Sequence, residues 1–269
     1  MHINHHINLP HDRKVFFVSD SHLGAPNAQK SLEREKLLVH WLTKIQSEAH
    51  TICFLGDIFD FWFDYSKVIP KGYSRLFGKL AELSDLGIEM HFFYGNHDMW
   101  AKDYFTHEFN MQIHKNPEFW QINNKIAYVG HGDGLGPGDK GYKLLKKVFA
   151  SPVSRWLYAC MHPRWGVGIA EYFSHRSRIA NGNSDLLYLG ESGEWQIVFA
   201  KEILLQYPEI DFFVFGHRHM ALEIPLNKKT TYTNLGDWVR LFSYGCFDGA
   251  QMKIYQYPEM IIYSSSLNR

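Results

Sequence analysis

The chain has 269 residues, 45% apolar and 21% charged, which suits a globular chain with a sizeable core. Lys plus Arg and Asp plus Glu number 28 each, so no overall charge points to nucleic acid or another charged polymer. Cys53, Cys160 and Cys246 are odd in number and lack CxxC spacing, which argues against a disulfide framework or a thiolate zinc site.

Taken in chain order, residues 1–10 (MHINHHINLP) lack the apolar stretch of a signal peptide. They read as a disordered polar tail, with His2, His5 and His6 solvated rather than metal-bound. No stretch approaches the roughly 18 apolar residues of a membrane-spanning helix. Residues 15–19 (VFFVS) have a buried-strand pattern, and 32–45 repeat apolar residues at helical spacing. The next strand is 51–55 and the next helix 73–86, followed by strands at 89–94, 125–130 and 211–215. Near-continuous Val, Ile, Phe and Tyr in these runs predicts strands covered on both faces. Asp248-Gly249 reads as a hairpin turn that closes a second sheet.

The turns at the strand ends carry the chemistry. The first strand ends in Asp20-Ser21-His22, the second in Gly56-Asp57-x-x-Asp60 and the third in Gly95-Asn96-His97-Asp98. His131-Gly132-Asp133 ends the fourth and Gly216-His217-Arg218-His219 the fifth. An isolated Asp or His after a strand is usually a turn former or a helix cap. Five such turns in succession outweigh that reading, because loops at the carboxyl ends of strands converge over one sheet edge.

The donors Asp20, His22, Asp57, Asn96, His131, His217 and His219 combine carboxylate, amide and imidazole without thiolate, a set that favours manganese, iron or zinc. Seven donors suit two ions sharing a bridging carboxylate, a pair that can clamp phosphoryl oxygens and activate water. Asp98, next to His97, is expected to hold that imidazole in one tautomer and suit it to general-acid work.

As an ordered set, D-x-H, GDxxD, GNHD, HGD and GHxH resemble the complete signature of the calcineurin-like metallophosphoesterases. The resemblance implies an α/β fold, an αββα sandwich, with Asp57 bridging two divalent ions. By motif position the first ion takes Asp20, His22 and His219, and the second Asn96, His131 and His217. His97 matches the family's catalytic histidine. Within the superfamily, Asp57-Ile58-Phe59-Asp60-Phe61-Trp62 and His131-Gly132-Asp133-Gly134-Leu135 with Asp139-Lys140-Gly141-Tyr142 are similar to segments of the UDP-2,3-diacylglucosamine diphosphatase family of lipid A biosynthesis. So are Ser177-Arg178-Ile179-Ala180-Asn181 and Leu235-Gly236-Asp237-Trp238. The implied reaction cleaves the pyrophosphate of this lipid-linked nucleotide sugar to UMP and 2,3-diacylglucosamine 1-phosphate, usually with Mn2+, Fe or Zn being the other candidates. Asn96, Asp139, Ser177, Arg178, Asn181 and His217 would contact substrate, with Trp62 flanking it. The alternative is a phosphodiesterase or phosphatase acting on another nucleotide or phosphoester.

Residues 1–269 are expected to form a single domain, with a helical cap inserted at about 141–205. From 140 to 178 the cap carries eight Lys and Arg against one acidic residue, Glu171, interleaved with Trp156, Trp165, Tyr172 and Phe173. Cations beside large aromatics suit contact with anionic lipid, so the protein is expected in the cytoplasm, peripheral on the inner membrane face, with no obligate protein partner. Packing of the same aromatics on the sandwich is the other reading, and nucleic acid binding is disfavoured.

Overall fold

The apolar runs become strands of two face-to-face sheets, covered outside by helices. The computed structural model describes residues 1–138, 140–181, 187–258 and 260–261, with 171, 175, 177–181 and 260–261 described by backbone alone. In chain order the first strands are β1 (His5–Ile7), β2 (Lys14–Val18), β3 (Ala49–Phe54), β4 (Glu89–Phe93), β5 (Gln112–His114), β6 (Glu118–Ile122) and β7 (Lys125–Val129). Then come β8 (Phe212–Phe215), β9 (Ala221–Pro225), β10 (Thr231–Leu235), β11 (Ser243–Phe247), β12 (Met252–Gln256) and β13 (Met260–Ile261). The helices are α1 (Ala28–Ile45), α2 (Ser74–Asp85), α3 (Tyr104–Phe109), α4 (Lys140–Ala150), α5 (Pro152–Ala159), α6 (Pro163–Asn181) and α7 (Trp195–Gln206).

One sheet has the order β13-β12-β11-β2-β3-β4-β5 and the other β1-β6-β7-β8-β10-β9. The period-two rule of strands sorts their residues into layers. Phe16 and Val18 of β2, Ile52 and Phe54 of β3, and Met90 and Phe92 of β4 face outward onto Leu38, Trp41, Leu42, Leu76 and Leu80 of α1 and α2. Their neighbours Val15, Phe17, Cys53 and Phe93 face the other sheet, meeting Trp120, Ala127, Val129, Phe212 and Val214. Phe213 and Phe215 face out of the second sheet onto Ile197 and Ala200 of α7.

Four expectations are corrected. The five ligand-bearing strands do not share one sheet: β2, β3 and β4 lie in the seven-stranded sheet, β7 and β8 in the six-stranded one. The Asp248-Gly249 hairpin, β11–β12, joins the sheet of β2–β4 rather than closing the other. The N-terminal segment is not a disordered tail, because β1 pairs in parallel with β6 and buries Ile7 between the sheets. The cap ends before α7, whose Ile197 and Ala200 are fully buried against the six-stranded sheet and so belong to the sandwich.

Candidate metal centre and active site

Each donor sits where a strand has just ended and the backbone turns sharply. Asp20, His22, Asp57, His217 and His219 all have positive φ, between 39° and 72°. Non-glycine residues pay roughly 1–3 kcal/mol each for such conformations, and this strain gathers at functional sites. Gly95 shows why these loops need glycine: a Cβ there would collide with the Asp57 carboxylate and its backbone nitrogen.

The turns from both sheets form one cluster. Asp20, His22 and His219 present ligand atoms mutually within 4.8 Å, and so do Asp57, His131 and His217. Asp57 also reaches the first group, its Oδ2 being 3.8 Å from His22 Nε2 as well as 3.4 Å from His131 Nε2. Asn96 Oδ1 is 3.3 Å from His131 Nε2. Burial opposes ionisation of Asp57, yet His131, His97 and His22 beside it hold its carboxyl well below the usual range. Burial pushes the His22 imidazole well below its ordinary value and brings His217 down to about 4.

The donors fit a pair of divalent ions. Asp20 Oδ1 and both ring nitrogens of His22 are buried without a hydrogen-bond partner, a costly state that a cation relieves. His131 Nδ1 lies 2.6 Å from the Leu55 carbonyl, so it donates there and turns the Nε2 lone pair toward Asn96 and Asp57. His219 Nδ1 is 3.5 Å from Asp237 Oδ2, which likewise frees Nε2 to face Asp20. Carboxylate or carbonyl partners of this kind orient metal-binding histidines.

His97 stands beside the centre, its ring edge-on to His22 at a centroid distance of 4.8 Å. Asp98 does not hold its imidazole, which corrects the sequence-based expectation. The Asp98 carboxylate is buried and accepts backbone N–H groups from Ile58 at 2.8 Å and Gly95 at 2.9 Å. It therefore pins the two loops together, and burial with the nearby Asp57 charge raises its pKa to about 7. The partner of His97 Nδ1 is the Asp60 carbonyl at 2.8 Å, with Ser174 Oγ at 3.3 Å.

Trp62 is also corrected, from a substrate flank to core. Its ring is fully buried against Phe59, Phe77, Tyr104 and Phe105, and its indole N–H donates to Asp64. Asp139 lies outside the described residues, and so do the side chains of Ser177, Arg178 and Asn181.

Several supporting residues carry no signal in the sequence pattern. Arg34, buried on α1, donates to the carbonyls of Ser21 and His22 at 2.6 and 2.7 Å and shapes the first ligand turn. Gln196 of α7 donates to the carbonyls of Gly132 and Gly216, each at 3.1 Å, tying the fourth and fifth turns together. Neither belongs to a motif, so spacing could not find them. Asp60 and Asp237 do stand in motif segments, but only the fold puts them behind His22, His97 and His219. Asp237→Asn should lower activity or metal affinity about 10–100-fold. Metal titration of turnover checks this, and an unchanged titration curve would remove Asp237 from the centre's support.

Clustered carboxylate and imidazole donors at the convergent strand ends of a two-sheet sandwich define a class. The calcineurin-like phosphoesterase profile matches residues 13–221, and the chain belongs to that family. Its members use pairs of divalent ions. Over 258 residues the chain is 39% identical to a UDP-2,3-diacylglucosamine hydrolase of Porphyromonas gingivalis, covering 92% of this chain and 98% of the relative. A UDP-2,3-diacylglucosamine hydrolase of a Shewanella species is 25% identical over 225 residues, covering 84% of this chain and 89% of the relative. Among solved structures, a dimetal phosphatase from Danio rerio aligns with a TM-score of 0.48 and 11% identity, over 92% of this chain and 96% of that one.

Proposed function

We propose that this chain hydrolyses the pyrophosphate of UDP-2,3-diacylglucosamine, giving UMP and 2,3-diacylglucosamine 1-phosphate. The observation that carries the reading is the near-full-length likeness to a relative of that name, in a chain whose seven donors are all present and gathered. A cavity of about 360 Å3 opens beside them and is lined by His22, Asp57, Asn96, His97, Tyr142 and Trp195, among others. Its mixture of polar donors with Leu135, Leu189 and aromatic rings suits a diphosphate joined to a sugar better than a bare phosphate.

Asp20, His22 and His219 would hold one ion, Asn96, His131 and His217 the other, and Asp57 both. Mn2+ is the first choice, with Fe or Zn as the others. Two divalent ions supply Lewis-acid charge at the phosphoryl oxygens and make water acidic enough to attack near neutral pH. In the reaction a water oxygen bonds to one phosphorus as the bridging P–O bond breaks, so each product keeps one phosphate. His97, held through Nδ1 by the Asp60 carbonyl, presents its other face to the cavity. Through Nε2 it would donate to the departing phosphate or offset the charge that develops there. Asn96 and His217 line the same cavity and would also contact the diphosphate. Asp139, Ser177, Arg178 and Asn181 complete the proposed substrate contacts on the strength of the sequence resemblance.

The test is release of UMP from UDP-2,3-diacylglucosamine by manganese-loaded protein. Turnover supports the reading. Its absence, with metal-dependent cleavage of an aryl phosphodiester intact, would replace it by a phosphodiesterase acting on another nucleotide or phosphoester.

The cap supports a second part of the proposal, cytoplasmic location with peripheral membrane contact. Leu144, Val153, Trp156, Leu157, Trp165 and Phe173, all on α4, α5 and α6, are each more than half exposed. Lys147 and Arg164 are exposed on the same helices. No helix among the described residues is long and apolar enough to cross a membrane. Co-sedimentation with anionic liposomes is therefore expected at low salt, weakened by Trp156→Ala with Trp165→Ala. Equal sedimentation of wild type and double variant would reject the aromatic face as the contact.

A further inference from the structure

A second group of metal-ligand side chains lies away from the dinuclear centre. His5 of β1 and Glu89 and His91 of β4 place a carboxylate oxygen and two imidazole nitrogens mutually within 4.8 Å. This group occupies the layer between the sheets, which elsewhere is filled by apolar residues such as Ile7, Phe93 and Trp120. His91 is fully buried there, while His5 and Glu89 keep side-chain exposures of 17% and 29% that leave a path to solvent.

Hydrogen bonding explains what the group lacks. His114 Nδ1 is 3.0 Å from Glu118 Oε2 and its Nε2 is 2.9 Å from His91 Nδ1. With tautomers assigned from that network, His114 donates to Glu118 and accepts from His91. The Nε2 lone pair of His91 then faces Glu89, itself an acceptor. His91 Nε2 lies 3.4 Å from Glu89 Oε1 and His5 Nε2 lies 3.1 Å from it. Both Nε2 atoms are buried without a hydrogen-bond partner. The remaining contacts of Glu89 are neutral donors: Thr51 Oγ1 at 3.3 Å from Oε2 and Gln112 Nε2 at 3.2 Å from Oε1.

We propose that His5, Glu89 and His91 form a mononuclear zinc site that clips β1 to β4 and so ties the two sheets together. Zinc bonds of about 2.0–2.1 Å in tetrahedral geometry place neighbouring ligand atoms roughly 3.3 Å apart, the spacing seen around Glu89 Oε1. An N2O donor set without thiolate is within zinc's normal range. The Glu118–His114–His91 chain supplies the orienting partner that metal-binding histidines use, and solvent takes the fourth corner.

The test counts zinc per chain in untagged full-length protein, Glu89→Gln and His5→Ala after dialysis against excess zinc. Each variant is expected to hold one ion fewer than wild type and to keep manganese-dependent turnover. A cobalt difference spectrum of wild type minus Glu89→Gln should show the strong visible bands of a four-coordinate ion. The Asp57→Ala protein should lose ions of its own centre yet keep the one that Glu89→Gln removes, so failure at either site is distinguishable. Equal zinc counts in wild type and both variants, or a difference spectrum without those bands, would mean that protons and not zinc occupy the cluster.

Discussion

Asp57→Ala should lower kcat/KM for UMP release by at least about 10^3-fold while leaving the folded content unchanged by circular dichroism. Its carboxylate faces both ligand triads, through Oδ2 to His22 and His131. Its Oδ1 accepts the backbone N–H of His97 at 2.9 Å, so the same side chain also sets the turn that carries the proposed acid. Removing it takes away the proposed shared ligand and the carboxylate that faces His131 Nε2 at 3.4 Å. Metal content should fall in parallel with activity. Asp57→Asn keeps the shape and the contact to the His97 amide, so it isolates the charge. Near wild-type turnover in either variant would contradict a bridging role.

Trp62→Ala should destabilise the fold by about 3–5 kcal/mol, the usual cost of emptying a buried aromatic site. The ring is fully buried within a cluster that joins Phe59 and Phe105 to Phe77 of α2. Deleting it opens a cavity that these rings cannot all collapse to fill, and leaves the buried Asp64 carboxylate without the indole donor. Chemical denaturation with unchanged m-value measures the loss. KM for the lipid-linked substrate should stay near wild type below the melting transition. A large KM increase with little loss of stability would restore Trp62 to the substrate pocket.

The two positions mark how far motifs reach. Asp57 is legible because metal chemistry limits which side chains can serve, and strand ends limit where they stand in the chain. Trp62 misleads because its closeness to Asp57 in sequence says nothing about direction. After the turn at Asp57 the chain crosses the top of the seven-stranded sheet. Leu23 bridges Phe59 there, and Phe63 bridges Trp100, which turns Phe59, Trp62 and Phe63 into the core. Asp98 shows the same limit. Adjacent to His97 in the chain, it points instead at the amides of Gly95 and Ile58.

The N-terminus gives the opposite lesson. A polar, histidine-rich decapeptide has the composition of a tail, yet Ile7 and Leu9 reach the inter-sheet core and β6 offers an edge to pair with. Edge pairing of a three-residue strand depends on a partner more than one hundred positions away, which local composition cannot report.

The chain's own order of residues thus determined the chemistry: the donor types, their placement after apolar strands and the family they define. Those features are local, since a motif needs only a strand end and a turn. Which sheet each strand joins, which carboxylate backs which histidine, where the cap gives way to α7 and how His5 meets Glu89 were decided by the tertiary structure. These depend on strand pairing and sheet stacking, which bring distant residues to within a few ångströms and turn each side chain toward core, metal or solvent.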